Sequence, residues 1–269
     1  MILEIFVSSL ALALIFMPLL AWKWRINMKL AIISAIIIGG FTGLIVHWIA
    51  PRLPGLGLGV LFLLELFLIF LLVFLAIILR FYRDPERTPL ETENVILSPA
   101  DGQVIYVNKV EKGSSLVSTK GKKNFKLDEI TTTSLLDNPA YLIGIDMNML
   151  NVHVNRSPVS GKLIFQKHIK GKFISLRKEE SDILNERVIM VIENGNLRFG
   201  VIQIASRLVR RILSYMKEGD SLQIGQRIGA IVFGSQVDVV VPNSGNLRIE
   251  ARPGDEVKAG ISVVARYGS

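Results

Sequence analysis

The chain has 269 residues, half of them hydrophobic, and a formal net charge of +8 at pH 7. Its mean hydropathy of +0.45 is too high for an ordinary soluble domain, and residues 2–79 hold most of the excess. There is no cysteine, which excludes disulfides, thiolate nucleophiles and cysteine-bound metals. With three histidines in the whole chain, a metal site built from several histidines is not expected.

Three apolar stretches begin the chain, at about Ile2–Trp22, Leu30–Ala50 and Leu58–Leu79. Each is close to the roughly 20 residues that a helix needs to cross a bilayer. The first stretch lacks the basic start and the small-residue cleavage site of a signal peptide. We therefore predict a membrane anchor with three transmembrane helices over residues 1–80, followed by a soluble domain over residues 81–269.

Basic residues set the expected orientation of these spans. Lys23, Arg25 and Lys29 lie between the first two spans, whereas the loop after the second span has only Arg52. The positive-inside tendency then places the amino terminus outside and the soluble domain in the cytoplasm, as in a multi-pass protein of the cell membrane. In such a protein the charge of +8 favours acidic lipid over nucleic acid as a partner.

Glu65 lies inside the third span, where an ionised carboxylate is costly. One interpretation is functional, namely a contact with a proton or a lipid headgroup. The other is structural, namely a protonated or helix-paired acid, and composition alone favours it.

After Arg80 the sequence changes to short β-type runs separated by turn signals. The runs are Val104–Val107, Tyr141–Ile145, Val188–Ile192, Leu197–Ile204, Ile228–Phe233 and Val237–Val241. A hairpin is predicted at Glu193–Asn196, because Asn-Gly accepts the positive φ values of a tight turn. We expect one short helix at Arg207–Lys217. The predicted fold class is mainly β, a β-rich α+β domain, because no long helical period is present.

A short pattern, Pro-x-(Asp/Ser)-Gly-x-(Val/Leu), occurs three times, at Pro99–Val104, Pro158–Leu163 and Pro242–Leu247. Each copy is typical of a turn that leads into a strand. The third copy is followed by Pro253–Gly260, and this combination is similar to the small barrels of biotinyl and lipoyl carrier domains. The pattern predicts lipoyl-like barrel features built from similar β corners.

Two polar segments are candidates for chemistry. Asp101 lies in Ser98–Gly102, where Asp-Gly is also ordinary turn chemistry. In Asn151–Arg156, valines alternate with polar residues, which predicts a strand with the valines on one face and His153 on the other. A histidine on a polar face is available as a general base, although a plain surface histidine fits the pattern equally well.

A third segment, Phe233–Gln236, places Gly-Ser between two apolar runs. One interpretation is a β-bulge, where glycine is expected. The other is a reactive Ser235 whose preceding residue, Gly234, permits a strained backbone.

Together, in this order and after a membrane anchor, these segments resemble the phosphatidylserine decarboxylase proenzymes, in particular the short archaeal and bacterial type. The similarity covers nearly all of residues 81–269. It includes five ordered motifs, Phe81–Arg87, Ser98–Gly102, Val152–Arg156, Arg210–Ile212 and Phe233–Ser235. The sequence departs from the family pattern at Asn151, where aspartate is usual, and in Ala205–Arg211, where a glycine is more common.

The resemblance implies a pyruvoyl-dependent carboxy-lyase that cleaves itself between Gly234 and Ser235. Asp101, His153 and Ser235 match the family's self-cleavage set. In this scheme His153, oriented by Asp101, removes the hydroxyl proton of Ser235, which ends as a covalent pyruvoyl group on the 235–269 fragment. The chains 1–234 and 235–269 are expected to stay together as a heterodimer, with a higher oligomer left open.

The implied substrate is a membrane phospholipid with a serine headgroup, either phosphatidylserine or archaetidylserine. Decarboxylation through a Schiff base to the pyruvoyl group would give the ethanolamine lipid, with His153 as the candidate that protonates the carbanion. Arg156 is a speculative phosphate ligand. Arg80, Arg83 and Arg87 either meet lipid phosphates or serve the positive-inside anchor. No metal is expected.

Two alternatives stay open. A non-enzymatic membrane adaptor or binding module with a lipoyl-like barrel explains the anchor and the β corners, but not the ordered Asp101, His153 and Ser235. Lys258 also lacks the usual neighbours of a modifiable carrier lysine. A family member that has lost processing is the second alternative, and the intact Gly234-Ser235 pair argues against it. The three spans disfavour soluble pyruvoyl decarboxylases of free amino acids.

Overall fold

A computed structural model of the protein describes residues 2–24, 27–52, 55, 57–111, 117–120, 123–126, 139–170, 186–205, 211–232 and 235–268. The chain divides into two compact units. The helical unit comprises Met1–Tyr82 with Asn148–Leu150, and the strand-rich unit comprises Arg83–Met147 with Asn151–Ser269.

The helical unit contains three long helices, α1 (Ile2–Trp24), α2 (Met28–Ile49) and α3 (Leu58–Phe81). Asn27 caps α2, since its Oδ1 accepts the backbone N–H of Lys29 at 2.9 Å. By length and composition, all three helices are able to cross a membrane. The three predicted apolar helices are therefore confirmed as helices.

Glu65 is buried within the helical unit, with 1% of its surface exposed. Its Oε1 accepts a hydrogen bond from Ser8 Oγ at 2.9 Å, which joins α3 to α1. Ser9 and Thr42 are also fully buried in this unit. Polar contacts between helices stabilise association in an apolar environment. The contact agrees with the interpretation of Glu65 as a helix-paired acid.

The strand-rich unit contains sixteen strands among its described residues. They are β1 (Val95–Leu97), β2 (Gly102–Val110), β3 (Val117–Lys120), β4 (Lys123–Lys126), β5 (Ala140–Met147), β6 (Val154–Arg156), β7 (Gly161–Ile169), β8 (Arg187–Asn194), β9 (Leu197–Ala205), β10 (Arg211–Ser214), β11 (Ser221–Leu222), β12 (Arg227–Val232), β13 (Ser235–Pro242), β14 (Leu247–Ile249), β15 (Glu256–Val257) and β16 (Val263–Tyr267).

Eight of these strands form one antiparallel sheet in the order β11-β7-β8-β9-β13-β5-β2-β15. Two three-stranded sheets, β1-β16-β14 and β10-β12-β6, supply residues to a large apolar core together with one face of the main sheet. The main sheet also carries a second, smaller apolar cluster around Leu142, Ile189 and Ile202. Because side chains alternate along a strand, these two clusters lie on opposite faces of the sheet.

The mainly β class and the six predicted strand runs agree with the structure, apart from Phe233, which lies outside the described residues. The predicted hairpin joins β8 to β9, with Asn194 paired to Leu197. The lipoyl-like barrel is not confirmed, because the curled sheet forms only a half-barrel. Its edge strands β11 and β15 have two residues each, and among the described residues they do not pair with each other.

The helix predicted at Arg207–Lys217 is wrong over its described part. Residues 211–214 form strand β10, which pairs with β12 from Arg211↔Val232 to Ser214↔Gly229. Residues 206–210 lie outside the described part of the chain. Tertiary pairing with β12 overrides the local helix preference.

The strand-rich unit contains two structurally equivalent halves, which meet in the main sheet between β9 and β13. The first half contains β1, β2, β5 and β13–β16, and the second contains β6–β12. Strand β2 matches β7 with nine residues each, β5 matches β8 with eight, and β15 matches β11 with two. The sheets β1-β16-β14 and β6-β12-β10 match in the same way.

Hydrogen bonds at the turns before β2 and β7 repeat in both halves. Ser98 Oγ donates to Ala100 O and Ser157 Oγ donates to Val159 O, each at 2.7 Å. Each half also binds the turn of the other half in the same way. Leu97 N donates to Pro158 O and Arg156 N donates to Pro99 O, each at 2.9 Å. The first two copies of the proline-glycine pattern are therefore structurally equivalent.

The glycines of these copies are required by close packing. A Cβ at Gly102 would lie 2.2 Å from Asp146 O, and one at Gly161 would lie 2.3 Å from Glu193 O. The third copy differs, because no atom lies within 4 Å of a Cβ built at Gly245. Only two of the three predicted β corners therefore share one structure.

Candidate active site

The predicted cleavage bond lies where β12 leads into the central strand β13. Strand β12 ends at Val232 and β13 begins at Ser235, while Phe233 and Gly234 lie outside the described residues. The backbone of Ser235 lies in register with Met147 of β5 and Ala205 of β9. Both neighbours are buried, so β13 begins inside the sheet and not at its edge.

His153 lies immediately before β6, and its carbonyl oxygen accepts the N–H of Ile231 at 3.1 Å. Strand pairing therefore places the His153 backbone beside β12, four residues before Ser235. The histidine is 2% exposed and Asn155 is fully buried, so the alternative of a plain surface histidine is wrong and the polar side of this segment is covered. Asn155 is covered by Gln203 of β9, whose Nε2 donates to Asn155 Oδ1 at 2.8 Å.

The surroundings of His153 favour the neutral imidazole. Nδ1 lies 2.9 Å from Asn151 O, an acceptor, so we assign the ring proton to Nδ1, which leaves Nε2 as the proton acceptor. Burial lowers the pKa of His153 to about 4, partly opposed by the Asn151 hydrogen bond and the charge of Asp101. A histidine that is neutral at pH 7 is in the state required of a general base.

Asp101 is buried and binds four donors. Arg87 contacts both carboxylate oxygens, with Nη1–Oδ1 at 2.5 Å and Nη2–Oδ2 at 2.9 Å. The backbone N–H of Ala259 donates to Oδ1 at 2.8 Å, and that of Val152 donates to Oδ2 at 3.4 Å. Asp101 thereby touches the neighbour of His153 and a residue of the 235–269 segment. This geometry suits a residue that positions His153 through the backbone.

Two arginines differ from the simple expectation of phosphate contact. Arg87 is bound to Asp101 and also donates to Ala259 O at 2.9 Å, so its guanidinium is engaged inside the domain. Arg156 is 3% exposed and donates to the carbonyl oxygens of Pro85 and Gly225, each at 3.0 Å. With Arg227, the two line a cavity of about 520 Å³, so the expected phosphate role of Arg156 stays a prediction.

Sequence reasoning missed Gln203 and the role of Arg87. Gln203 is fully buried, and its Oε1 has no hydrogen-bond partner among the described residues. The available signal was a single polar side chain inside the apolar strand Phe199–Ala205, because a buried amide in such a run needs a partner. The signal for Arg87 was its place in the Phe81–Arg87 motif.

The equivalence of the two halves gives this site a counterpart, and each of the two sites takes residues from both halves. Asn94, Ser160 and Leu197 occupy the positions equivalent to His153, Asp101 and Ser235. Tyr267 N donates to Asn94 O at 2.9 Å, as Ile231 N does to His153 O. Ile224 N donates to Ser160 Oγ at 3.0 Å, as Ala259 N does to Asp101. These residues line a cavity of about 360 Å³, where serine, asparagine and leucine stand in place of Asp101, His153 and Ser235.

Among the described residues, no group of three or more histidine, aspartate or glutamate side chains is arranged to hold a metal ion. The charged and titratable groups described at the site are His153 and the pair of Arg87 with Asp101.

Comparison with known proteins identifies the family of this framework. The sequence model of the phosphatidylserine decarboxylase family matches residues 74–265. A protein of Methanocaldococcus jannaschii, provisionally named an archaetidylserine decarboxylase proenzyme, is 40% identical over 185 residues, covering 69% of this chain and 87% of the relative. The phosphatidylserine decarboxylase proenzyme of Geotalea uraniireducens is 36% identical over 196 residues, covering 72% and 81%. The chain belongs to the phosphatidylserine decarboxylase family.

Proposed function

We propose that the protein is a self-cleaving, pyruvoyl-dependent decarboxylase of serine-headed membrane phospholipids, with either ester-linked or ether-linked chains. The observation that carries the proposal is the buried, neutral His153, whose backbone is paired to β12 just before the Gly234-Ser235 link. The relatives named as phosphatidylserine and archaetidylserine decarboxylase proenzymes support the same substrate class.

In the proposed cleavage, His153 Nε2 takes the hydroxyl proton of Ser235, because a serine hydroxyl is a weak nucleophile without a base. The freed oxygen attacks the carbonyl carbon of Gly234, and the peptide C–N bond breaks to leave an ester and a free amine on residue 235. Loss of the Cα proton then expels the Gly234 carboxylate. Water replaces the nitrogen, ammonia leaves, and residue 235 ends as a pyruvoyl group.

The residues around the link fit this group. The start of β13 lies between the buried residues Met147 and Ala205, which holds residue 235 within the sheet and away from its edges. When formed, the pyruvoyl ketone supplies the electron sink that amine decarboxylation requires. His153 holds its proton on Nδ1 against Asn151 O, so Nε2 can receive a proton in cleavage and return one to the substrate carbon in turnover.

Cleavage would leave the 235–269 fragment built into the domain. Strand β13 pairs on both sides, with β5 and with β9. Strands β14 and β16 pair with each other, and β16 also pairs with β1. We therefore propose that chains 1–234 and 235–269 remain together as a heterodimer, with strand pairing in place of the lost peptide bond.

The three apolar helices suit a substrate that stays in a bilayer. We propose a multi-pass arrangement with the strand-rich unit in the cytoplasm, since Lys23 and Lys29 flank the loop between the first two helices. The decisive check of this topology is labelling of single cysteines, which the chain otherwise lacks, introduced after Trp24 and after Gly55.

Intact mass spectrometry of the membrane-expressed protein tests the proposal. The expected result is two chains, with the 235–269 fragment lighter than its encoded mass by one ammonia and without a free amino terminus. Ser235→Ala should stay one chain, whereas the control Ser244→Ala, a serine of the same fragment, should be cleaved.

A single uncut chain in the presence of lipid would contradict the proposal and leave the strand-rich unit as a binding module. For the cleaved protein, release of CO2 from vesicles containing phosphatidylserine or its ether analogue then identifies the preferred lipid. A cleaved protein inactive on both lipids would contradict the proposed substrate class.

A further inference from the structure

A buried polar network lies on the sheet face that carries the smaller apolar cluster. Tyr106 Oη donates to Asp238 Oδ2 at 2.7 Å. Gln236 Nε2 donates to Tyr106 Oη at 3.0 Å and to Asp238 Oδ1 at 2.8 Å. Gln236 and Asp238 are both fully buried. The network joins β2 to the residues that stand one and three positions after Ser235.

Tyr106 reaches β13 by crossing the strand between them. Tyr106 pairs with Gly144 of β5, and Gly144 pairs with Asp238. A Cβ on Gly144 would lie 2.3 Å from Cζ of the tyrosine ring, so the ring lies directly over the glycine backbone. Glycine at this position is what allows a hydroxyl from β2 to bind a carboxylate two strands away.

The second half of the domain provides an internal comparison. A register irregularity precedes Tyr106 in β2, and the same irregularity precedes Phe165 in β7. Phe165 pairs with Val191, which pairs with Gly200. Phenylalanine, valine and glycine therefore replace the tyrosine, glycine and aspartate. The network is present in the half that carries the cleavage site and absent from the equivalent described positions of the other half.

Cleavage removes a backbone anchor from the start of β13. A pyruvoyl group has no N–H, so residue 235 can no longer donate a hydrogen bond to the sheet. Strand ends without such bonds open readily. Gln236 becomes the first residue of the new chain with a backbone donor, and its side chain and that of Asp238 are the first side-chain anchors.

We propose that Tyr106, Gln236 and Asp238 are positioning residues that hold the first residues of the cleaved 235–269 chain and thereby fix the pyruvoyl carbonyl at the site. The proposal rests on the proposed function. Because side chains alternate along a strand, binding residues 236 and 238 on one face also fixes the face assigned to residue 235. A small displacement of a reacting group lowers the rate steeply, which gives the network its effect on turnover.

The test compares Tyr106→Phe with Tyr267→Phe. Tyr267 Oη donates to Pro242 O at 2.8 Å, so the control removes a similar tyrosine hydrogen bond at the far end of the same strand. Both variants should be cleaved. Amide hydrogen exchange at residues 236–238 of the cleaved protein should become about tenfold faster in Tyr106→Phe and stay unchanged in Tyr267→Phe. The kcat should fall about tenfold in the first variant alone, with KM changed less than about twofold.

Equal exchange and equal kcat in the two variants would overturn the inference while leaving the proposed function intact. An uncleaved wild type would instead remove the proposed function. A second measurement needs no tyrosine variant: exchange at residues 236–238 in cleaved wild type is compared with that in uncleaved Ser235→Ala. Protection should survive cleavage within about threefold, and its loss would also overturn the inference.

Discussion

The candidate active site and its counterpart, which are related by the equivalence of the two halves, share a backbone arrangement and differ in side chains. Equivalent N–H groups bind Asp101 and Ser160, and equivalent carbonyl oxygens of His153 and Asn94 accept from β12 and β16. One site has an acid, a base and a serine, whereas the other has Ser160, Asn94 and Leu197. The comparison teaches that one backbone framework can hold two different sets of side chains, and that the proposed chemistry depends on the few positions at which the sets differ.

The largest effect is expected when the base is replaced by the residue of the counterpart site. His153→Asn should slow self-cleavage about 10²–10⁴-fold, because Nε2 is lost as proton acceptor. Cleavage is followed by gel after synthesis in the presence of membranes. His168→Asn is the matched control, since His168 is partly exposed and bound to Glu186 at 2.6 Å. Equal slowing in both variants would contradict the role of His153 as the base, which is what distinguishes this site from its counterpart.

Replacing the acid should affect stability more than the same type of change in the other half. Asp101→Ser, in the Ser235→Ala background, should lower the free energy of unfolding by about 3–5 kcal/mol, because Arg87, which is mostly covered, loses its buried partner. Ser160→Ala removes one neutral acceptor and should cost about 1 kcal/mol. Chemical denaturation in detergent measures both values, and similar costs would contradict the assigned role of the charged pair.

The pH dependence sharpens the same comparison, because Asn94 does not titrate. The pKa of His153 is about 4 in the folded protein, against an ordinary value of 6.5. Between these two values the unfolded chain therefore binds more protons at this histidine than the folded protein does. The contribution of His153 to the free energy of unfolding is fully present above about pH 6.5 and is lost as the pH drops towards 4. The loss should be about 3 kcal/mol and should disappear in His153→Asn.

The cleavage rate should follow the folded pKa of His153. We expect it to be constant from pH 8 to about 5.5 and to decline only as the pH approaches 4, where the base becomes protonated. A decline centred near 6.5 would show that His153 titrates as an exposed histidine, contrary to its burial.

The smallest effects should be equal in the two halves. Ser98→Ala and Ser157→Ala each remove a buried hydroxyl that donates to a carbonyl oxygen at 2.7 Å. Each should lower the free energy of unfolding by about 1 kcal/mol. Thermal unfolding of the uncleaved Ser235→Ala protein measures both, and a clear difference would weaken the equivalence of the halves.

Local pattern was sufficient for much of the fold. Valine-rich alternation marked Val237–Val241, and continuous apolarity marked the three helices. Local pattern did not predict the burial of His153, because alternation shows which residues share a face of a strand but not which face is covered by other elements. The cover over this segment comes from Gln203 and β12, far along the chain. The strand Arg211–Ser214 was missed for the same reason, since its paired residues lie fifteen or more positions away in the chain.

For the candidate site, the ordered motifs predicted Asp101, His153 and Ser235, but not the residues that contact them. Arg87 reaches Asp101 and Ala259 only in the folded domain. Gln236 and Asp238 did leave a signal, as two polar residues in alternate positions of a valine strand. This alternation shows that the two side chains share a face of the strand. It does not show their partner, Tyr106, which is 130 residues away from Gln236 in the chain.

The central place of β13 also has a consequence for the order of events during synthesis. Every strand of the main sheet except β15 precedes β13 in the chain, yet β13 fills the gap between β5 and β9. The gap therefore cannot close until β13 itself has left the ribosome, long after the three apolar helices have been made. We expect the proposed cleavage at 234–235 to wait for this late pairing, so that self-cleavage would report completion of the sheet.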